Sequence, residues 1–263
     1  MKILHKTLNL ILPTLMLTAC ETAPITGRNQ FIVVPEAQVS QMGLQTFQEI
    51  LKKEDVSNDP KLNGLVQKVG SRVAQVVDPG TKWDFVVFND DKQVNAFALP
   101  GGKVGVYSGL FKVVDTEAEL AAVIGHEIAH VTARHGAERL SQGIVAQARL
   151  AATSLALSNR DPTTVQLVTT ALGAGATVGV LLPYSRLQES EADKLGMIYM
   201  AKAGYDPRAA KELWIKMAKA SQGQARPPQL LSTHPASETR IEQIEKWMPE
   251  ALSYYKGGKQ SAR

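Results

Sequence analysis

Two histidines four residues apart with a glutamate beside the first, His126-Glu127-Ile128-Ala129-His130, are the residues of this chain best suited to chemistry. On a helix, residues four apart lie one turn above each other. Both imidazoles then project from one face, about 6 Å apart, and can place a ring nitrogen each on one ion. Glu127 lies next to them around the helix, where it can take a proton from a water and later return it to a leaving amine. The pattern predicts a hydrolytic centre with one Zn2+ per chain. The alternative is a pair of incidental surface histidines.

A zinc site that keeps a position open for water needs a third protein ligand. The version completed by histidine wants glycine seven and histidine ten places after His126, but Ala133 and Gly136 stand there. His135, nine places on, falls about half a turn round the helix and is better suited to a structural hydrogen bond. Glu189 and Asp193 repeat the four-residue spacing on a second helix. Glu189 can bind the ion, and Asp193 can accept a hydrogen bond from the far nitrogen of a ligand histidine. Glu191 faces away. The alternative is that these acids, with Ser190, form only a solvated helix face.

The elements that must position these groups follow from periodicity. Apolar residues at helical spacing from Val39 to Leu51 and from Leu62 to Val73 predict two amphipathic helices. Residues Trp83 to Phe88, Val94 to Leu99 and Lys103 to Tyr107 predict strands, the last two a hairpin around Pro100-Gly101-Gly102. Thr116 with Glu119 forms a capping box that opens an amphipathic helix running through the histidine motif and beyond. Between Gln142 and Leu182, with no charge from Thr163 to Leu182, a helical hairpin packed on the domain is favoured over a membrane span, because five threonines, three glycines and Gln166 make a poor span. Helices are expected from Arg186 to Ala203 with Gly204 as the stop, from Pro207 with Asp206 as cap, and from Pro235 to Trp247. The fold class is α+β and mainly helical, with a small antiparallel sheet.

The 263 residues are 44% hydrophobic and 21% charged, enough for one sizeable core. Lys2 and Lys6 precede an uncharged stretch ending in Leu17-Thr18-Ala19-Cys20, a secretory signal too short to span a membrane as a mature helix. Leu-Thr-Ala-Cys resembles the lipobox of bacterial lipoproteins, so residues 1–19 are expected to be removed and Cys20 lipidated. Cys20 is the single cysteine and has no disulfide partner within the chain. Glu21, where an aspartate would mark inner-membrane retention, points to the outer membrane, facing the periplasm. Loss of Lys2 and Lys6 leaves 27 basic against 25 acidic residues, a net charge of +2, which gives no footing for nucleic acid. Residues 20–35 read as a polar tether, 36–255 as the metallopeptidase domain and 256–263 as a solvated tail.

Taken together, HEIAHVTARHGAER and the later SRLQESEADKLG resemble the HtpX and CAAX prenyl protease family of zinc metallopeptidases, family forty-eight, and especially its periplasmic lipoprotein members. NAFALPGGKVGVYSGLF and STHPASETRI extend the likeness to about two thirds of the chain. It implies a zincin-type domain with zinc on His126, His130 and Glu189, Glu127 as general base and Asp193 behind a ligand histidine. It also implies that Asn95, Ala96, Phe97 and Ala98 form an edge strand that holds an extended peptide by main-chain hydrogen bonds. Transmembrane helices and a helical-repeat domain, present in some relatives, are not expected in these residues.

His234 matches the family's HPxxxxRI pattern together with Pro235, Arg240 and Ile241. A proline at the first helical position would fix its direction. It could donate to an oxyanion, bind zinc as a fourth ligand in a resting enzyme, or simply cap a helix. The implied activity is endopeptidase cleavage of unfolded or misassembled envelope proteins, with the outer-membrane assembly machinery as a possible partner. The rival reading is a non-catalytic chaperone or assembly factor that uses the same strand and groove.

Overall fold

A computed structural model describes residues 20–176, 182–221, 229–235 and 238–256. The expected signal, residues 1–19, and all but the first residue of the tail lie outside these. The chain divides into two compact units, one of residues up to Val39 with Arg134–Leu187, the other of Ser40–Ala133 with Gln188 onward. The described residues are mainly helical, as expected, with two small sheets where one was expected.

In the first unit, β1 (Cys20–Thr22) pairs antiparallel with β2 (Asn29–Phe31), closed by a turn in which Ile25 and Gly27 take positive φ. The segment read as a tether is therefore built into the fold. Ile32, Val34 and Val39 pack with Ala137 of helix His135–Ala156. The fully buried Glu138 carboxylate accepts two hydrogen bonds from Arg28, each 2.8 Å. A buried acid needs such a two-pronged partner, and nothing in the local spacing announced it. Arg134 pairs with Glu21 and Glu36. His135 is buried, in keeping with a structural role. The expected helical hairpin forms from His135–Ala156 and Pro162–Ala176. It leaves Leu155 and Leu167 exposed rather than packed. No helix among the described residues is long and apolar enough to cross a membrane.

In the second unit, α1 (Glu36–Lys53, continuous with the first unit) and α2 (Pro60–Val77) appear where the periodicity placed them, α2 capped by Asp59 and opened by Pro60. Strands β3 (Asp84–Phe88), β4 (Ala96–Leu99) and β5 (Lys103–Tyr107) form a sheet in the order β3-β5-β4. The β4–β5 hairpin is antiparallel as expected, whereas β3 joins β5 in parallel, so this sheet is mixed. Pairing of non-adjacent strands is set by what covers the sheet, which a strand pattern does not report.

The capping box forms: Thr116 Oγ1 accepts from Glu119 N–H at 3.2 Å, and Glu119 Oε2 from Thr116 N–H at 3.3 Å. Helix α3 (Glu117–Thr132) follows, but differs from expectation twice. It is buried all round from Glu119 to His130, not amphipathic. It also stops at Thr132, because Arg134 adopts φ 53 and turns the chain, so His135 opens a separate helix, α4 (His135–Ala156), which α5 (Pro162–Ala176) follows. A helix this buried is the central rod of its unit, and its small residues admit neighbours on every side.

Helix α6 (Leu182–Lys202) ends at Gly204, φ 82, where Tyr205 N–H bonds Met200 O and Gly204 N–H bonds Ala201 O, the closure that a left-handed glycine permits. Asp206 caps α7 (Arg208–Ser221), accepting from Arg208 N–H at 2.9 Å. Pro235 does not open a helix. A short α8 (Gln229–Thr233) precedes it, residues 236–237 lie outside the described residues, and α9 (Glu238–Tyr254) continues beyond Trp247 through Pro249.

Helices α3 and α6 cross at two glycines. A Cβ on Gly196 would stand 2.8 Å from His126 N and 3.0 Å from Gly125 C; one on Gly125 would stand 2.9 Å from Gly196 O. In an open helix, Gly→Ala stabilises by about 1 kcal/mol. Here the obstructing atoms are backbone, so the sign reverses. Gly196→Ala is expected to lower stability by about 1–3 kcal/mol, read by thermal unfolding. Gly143→Ala, which meets nothing within 4 Å, is the control expected to stabilise. A Gly196→Ala protein as stable as the wild type would show that the helices are not locked in contact.

Candidate active site

The glycine crossing sets the motif face of α3 against α6 and so determines the site. His126, His130, Glu189 and His234 each offer one ligand atom, all within 4.8 Å of one another. Three sequence-expected groups are thus joined by the fourth, His234, carried on the stretch between α8 and α9. His130 Nε2 lies 3.1 Å from His126 Nε2, which lies 3.2 Å from His234 Nδ1. Glu189 Oε2 is 2.7 Å from His234 Nδ1 and 3.4 Å from His126 Nε2, and its Oε1 is 3.4 Å from His130 Nε2. All four residues are buried or nearly so.

These separations fit a small tetrahedral cation. Ligand bonds of about 2.0–2.1 Å imply ligand atoms about 3.3 Å apart, close to most of those observed. Three imidazole nitrogens facing one another also suit a cation, or shared protons, between their lone pairs. The electrostatics point the same way. Burial by itself would push the Glu189 carboxyl up, but hydrogen bonds from His126, His130 and His234 hold it far below the carboxylate range. Burial pushes the His126 imidazole down, yet its bonds to Asp193 and Glu189 carry it up to about 9. The cluster favours cationic charge at its centre.

Behind the cluster, His126 Nδ1–H donates to Asp193 Oδ1 at 2.9 Å, which turns Nε2 toward the other donors. The buried Asp193 would titrate high on burial alone, but Arg240 and His126 hold it low. Glu127, 4% exposed, has an Oε1 with no hydrogen-bond partner, 3.4 Å from His234 Nε2. A buried carboxylate oxygen in this position can accept a proton from a neighbouring donor. Glu191 is buried rather than solvent-facing.

β4 is an edge strand, with Asn95 just before it, and α3 packs against it. Asn95 O accepts from Tyr107 N–H, while Asn95 Oδ1 is buried without a partner. Phe97 turns into an aromatic group with Phe47, Phe88 and Tyr107. Val94 O, immediately upstream, accepts from Leu230 N–H, and Leu230 O accepts from His234 N–H at 2.7 Å. The short α8 thus links the start of the edge strand to His234. Trp214 of α7 was not singled out from the sequence. Its ring lies 5.8 Å from that of His126, and only an isolated aromatic on a helix face signalled it. Cys20 begins β1 in the other unit.

A family model described as peptidase family M48 matches residues 60–248. Mitochondrial metalloendopeptidase OMA1 of Schizosaccharomyces pombe is 37% identical over 240 residues, 89% of this chain and 68% of that protein. OMA1 of Saccharomyces cerevisiae is 32% identical over 262 residues, 90% of this chain and 72% of its own length. The beta-barrel assembly-enhancing protease of Escherichia coli K12 is 31% identical over 231 residues, 85% of this chain but 46% of that protein. The match to the family model spans the HEIAH helix, Glu189, Asp193 and His234, the residues that the fold gathers into one cluster. On that ground this chain belongs to peptidase family M48 and is a metallopeptidase.

Proposed function

We propose that this protein is a zinc-dependent endopeptidase of the bacterial cell envelope that cleaves unfolded or misassembled envelope proteins. The observation that carries the reading is the buried group of His126, His130, Glu189 and His234 with the unpartnered Glu127 Oε1 beside it. His126, His130 and Glu189 would hold the ion, a nitrogen and oxygen donor set suited to zinc. When bound, zinc supplies a Lewis acid that polarises a carbonyl and acidifies water. Glu127 takes the proton of the attacking water at Oε1 and returns it to the leaving amine. Asp193 keeps His126 in one tautomer and one orientation throughout. The edge of β4 holds the substrate in extended form, reading backbone more than side chain, which suits unfolded segments.

Envelope placement draws support from the relatives named beta-barrel assembly-enhancing protease and from the lipobox-like sequence ending at Cys20. OMA1 proteins are mitochondrial by name, so the family likeness by itself does not select a compartment. On this reading residues 1–19 are a signal, Cys20 carries the lipid, residues from 36 to 255 hold the peptidase, and the protein faces the periplasm from the outer membrane. Cys20→Ser is expected to move the protein from the membrane fraction to the soluble or unprocessed pool. Unchanged processing and fractionation would remove the anchor.

His234 sits among the ligand atoms, with Nδ1 against Glu189 and Nε2 toward Glu127. That placement supports the resting-state role, in which it occupies the position a substrate carbonyl would take. His234→Ala should therefore raise basal peptide hydrolysis. A fall of up to about a hundred-fold with zinc retained would instead assign it to the oxyanion, and a change within twofold would take it out of the mechanism.

A further inference from the structure

Arg240, on the first turn of α9, is 5% exposed, and both ends of its guanidinium are engaged. Nε–H and Nη2–H donate to the two carboxylate oxygens of Asp193, each at 2.6 Å. Nη1–H donates to the backbone carbonyls of His234 and Pro235, at 3.1 and 3.2 Å. The guanidinium carbon stands 3.3 Å from the centroid of the Trp214 ring, which supports the group from below. Only a rigid planar fork can serve a carboxylate on one side and two carbonyls on the other.

Both carbonyls belong to the stretch after α8, which ends at Thr233, and both accept from the same guanidinium nitrogen. Asp193, in turn, is the acceptor that fixes His126. One side chain therefore joins the support of His126 to the backbone that carries His234.

We infer that Arg240 is a positioning residue that locks the His234 backbone to Asp193, so that the two histidines on distant elements, α3 and the stretch after α8, keep one geometry. The inference rests on the proposed active centre for its consequence, while the hydrogen-exchange arm of its test does not. An ordinary buried ion pair would need only the Arg240–Asp193 contact. The two carbonyl contacts give Arg240 its second function and make His234 depend on it.

The test is hydrogen exchange of the full chain as wild type, Arg240→Lys and Arg240→Ala, with zinc affinity measured by chelator competition on the same samples. Arg240→Lys keeps a positive charge for Asp193, so the fold is retained, but its single ammonium cannot reach both Asp193 and the two carbonyls. Expected are at least tenfold faster exchange of amides in residues 229–235, unchanged protection of α3, and weaker zinc binding by roughly 10–100-fold. If Arg240→Lys preserves wild-type protection over 229–235, or loses protection in α3 to the same degree, Arg240 is a general stabiliser and the inference falls. Exchange requires neither turnover nor metal. A protein that proves inactive for other reasons would overturn the proposed function while leaving this result readable.

Discussion

Glu127→Gln is expected to lower peptide hydrolysis by about 10²–10⁴-fold, the span that a positioned general base contributes. Metal content and melting temperature should stay at wild-type values. The substitution is nearly isosteric and the residue is buried, so packing around α3 is kept. On the proposed mechanism what is lost is the proton acceptor, Glu127 Oε1, which has no hydrogen-bond partner and lies 3.4 Å from His234 Nε2. The same variant separates the two functional readings in cells. Envelope proteomes of wild-type and Glu127→Gln strains should differ by accumulation of uncleaved proteins in the variant. If Glu127→Gln restores the wild-type envelope phenotype in full, the protein holds its clients rather than cutting them.

Glu189→Ala should abolish stoichiometric zinc binding, an effect larger than the roughly 10–100-fold weakening expected of Asp193→Ala. Glu189 is the only anionic donor in the group and touches all three histidines, at 2.7, 3.4 and 3.4 Å. Without it, three imidazoles face one another around a cation with no negative charge to offset it. Asp193 touches only His126 in the cluster, and its loss frees the ring to turn while leaving every donor in place. Zinc determined by mass spectrometry after dialysis distinguishes the two. A full equivalent retained by Glu189→Ala would defeat the ligand assignment.

The motif face, the Thr116 and Asp206 caps and the Gly204 stop were legible because each is written within about one helical turn of sequence. His126 and His130 share a face by spacing alone. The Thr116–Glu119 box, the Asp206 cap and the Gly204 closure form as read, since their partners lie within five residues. The β4–β5 hairpin is likewise local, with Pro100-Gly101-Gly102 at its turn. The choice of Glu189 and Asp193 came from the same arithmetic on a second helix, and the fold brings both to the histidines.

Periodicity failed where partners are remote. It made α3 amphipathic, but the helix is surrounded, because α2, α7 and β4 all pack against it. It carried that helix past Ala133, although Arg134 takes a left-handed turn that no arginine signals in advance. It placed Pro235 at the start of a helix, whereas Pro235 lies outside one and Arg240 donates to the carbonyls of His234 and Pro235.

Sequence by itself determined which residues can hold a metal ion and move a proton, since those properties belong to residue types at fixed helical intervals. Only the tertiary structure decided that they meet. That meeting rests on Gly125 touching Gly196 across 71 positions and on one guanidinium joining Asp193 to the backbone of His234. Each is a steric or hydrogen-bonding fit between segments far apart in the chain, whose energy exists only once both are in place.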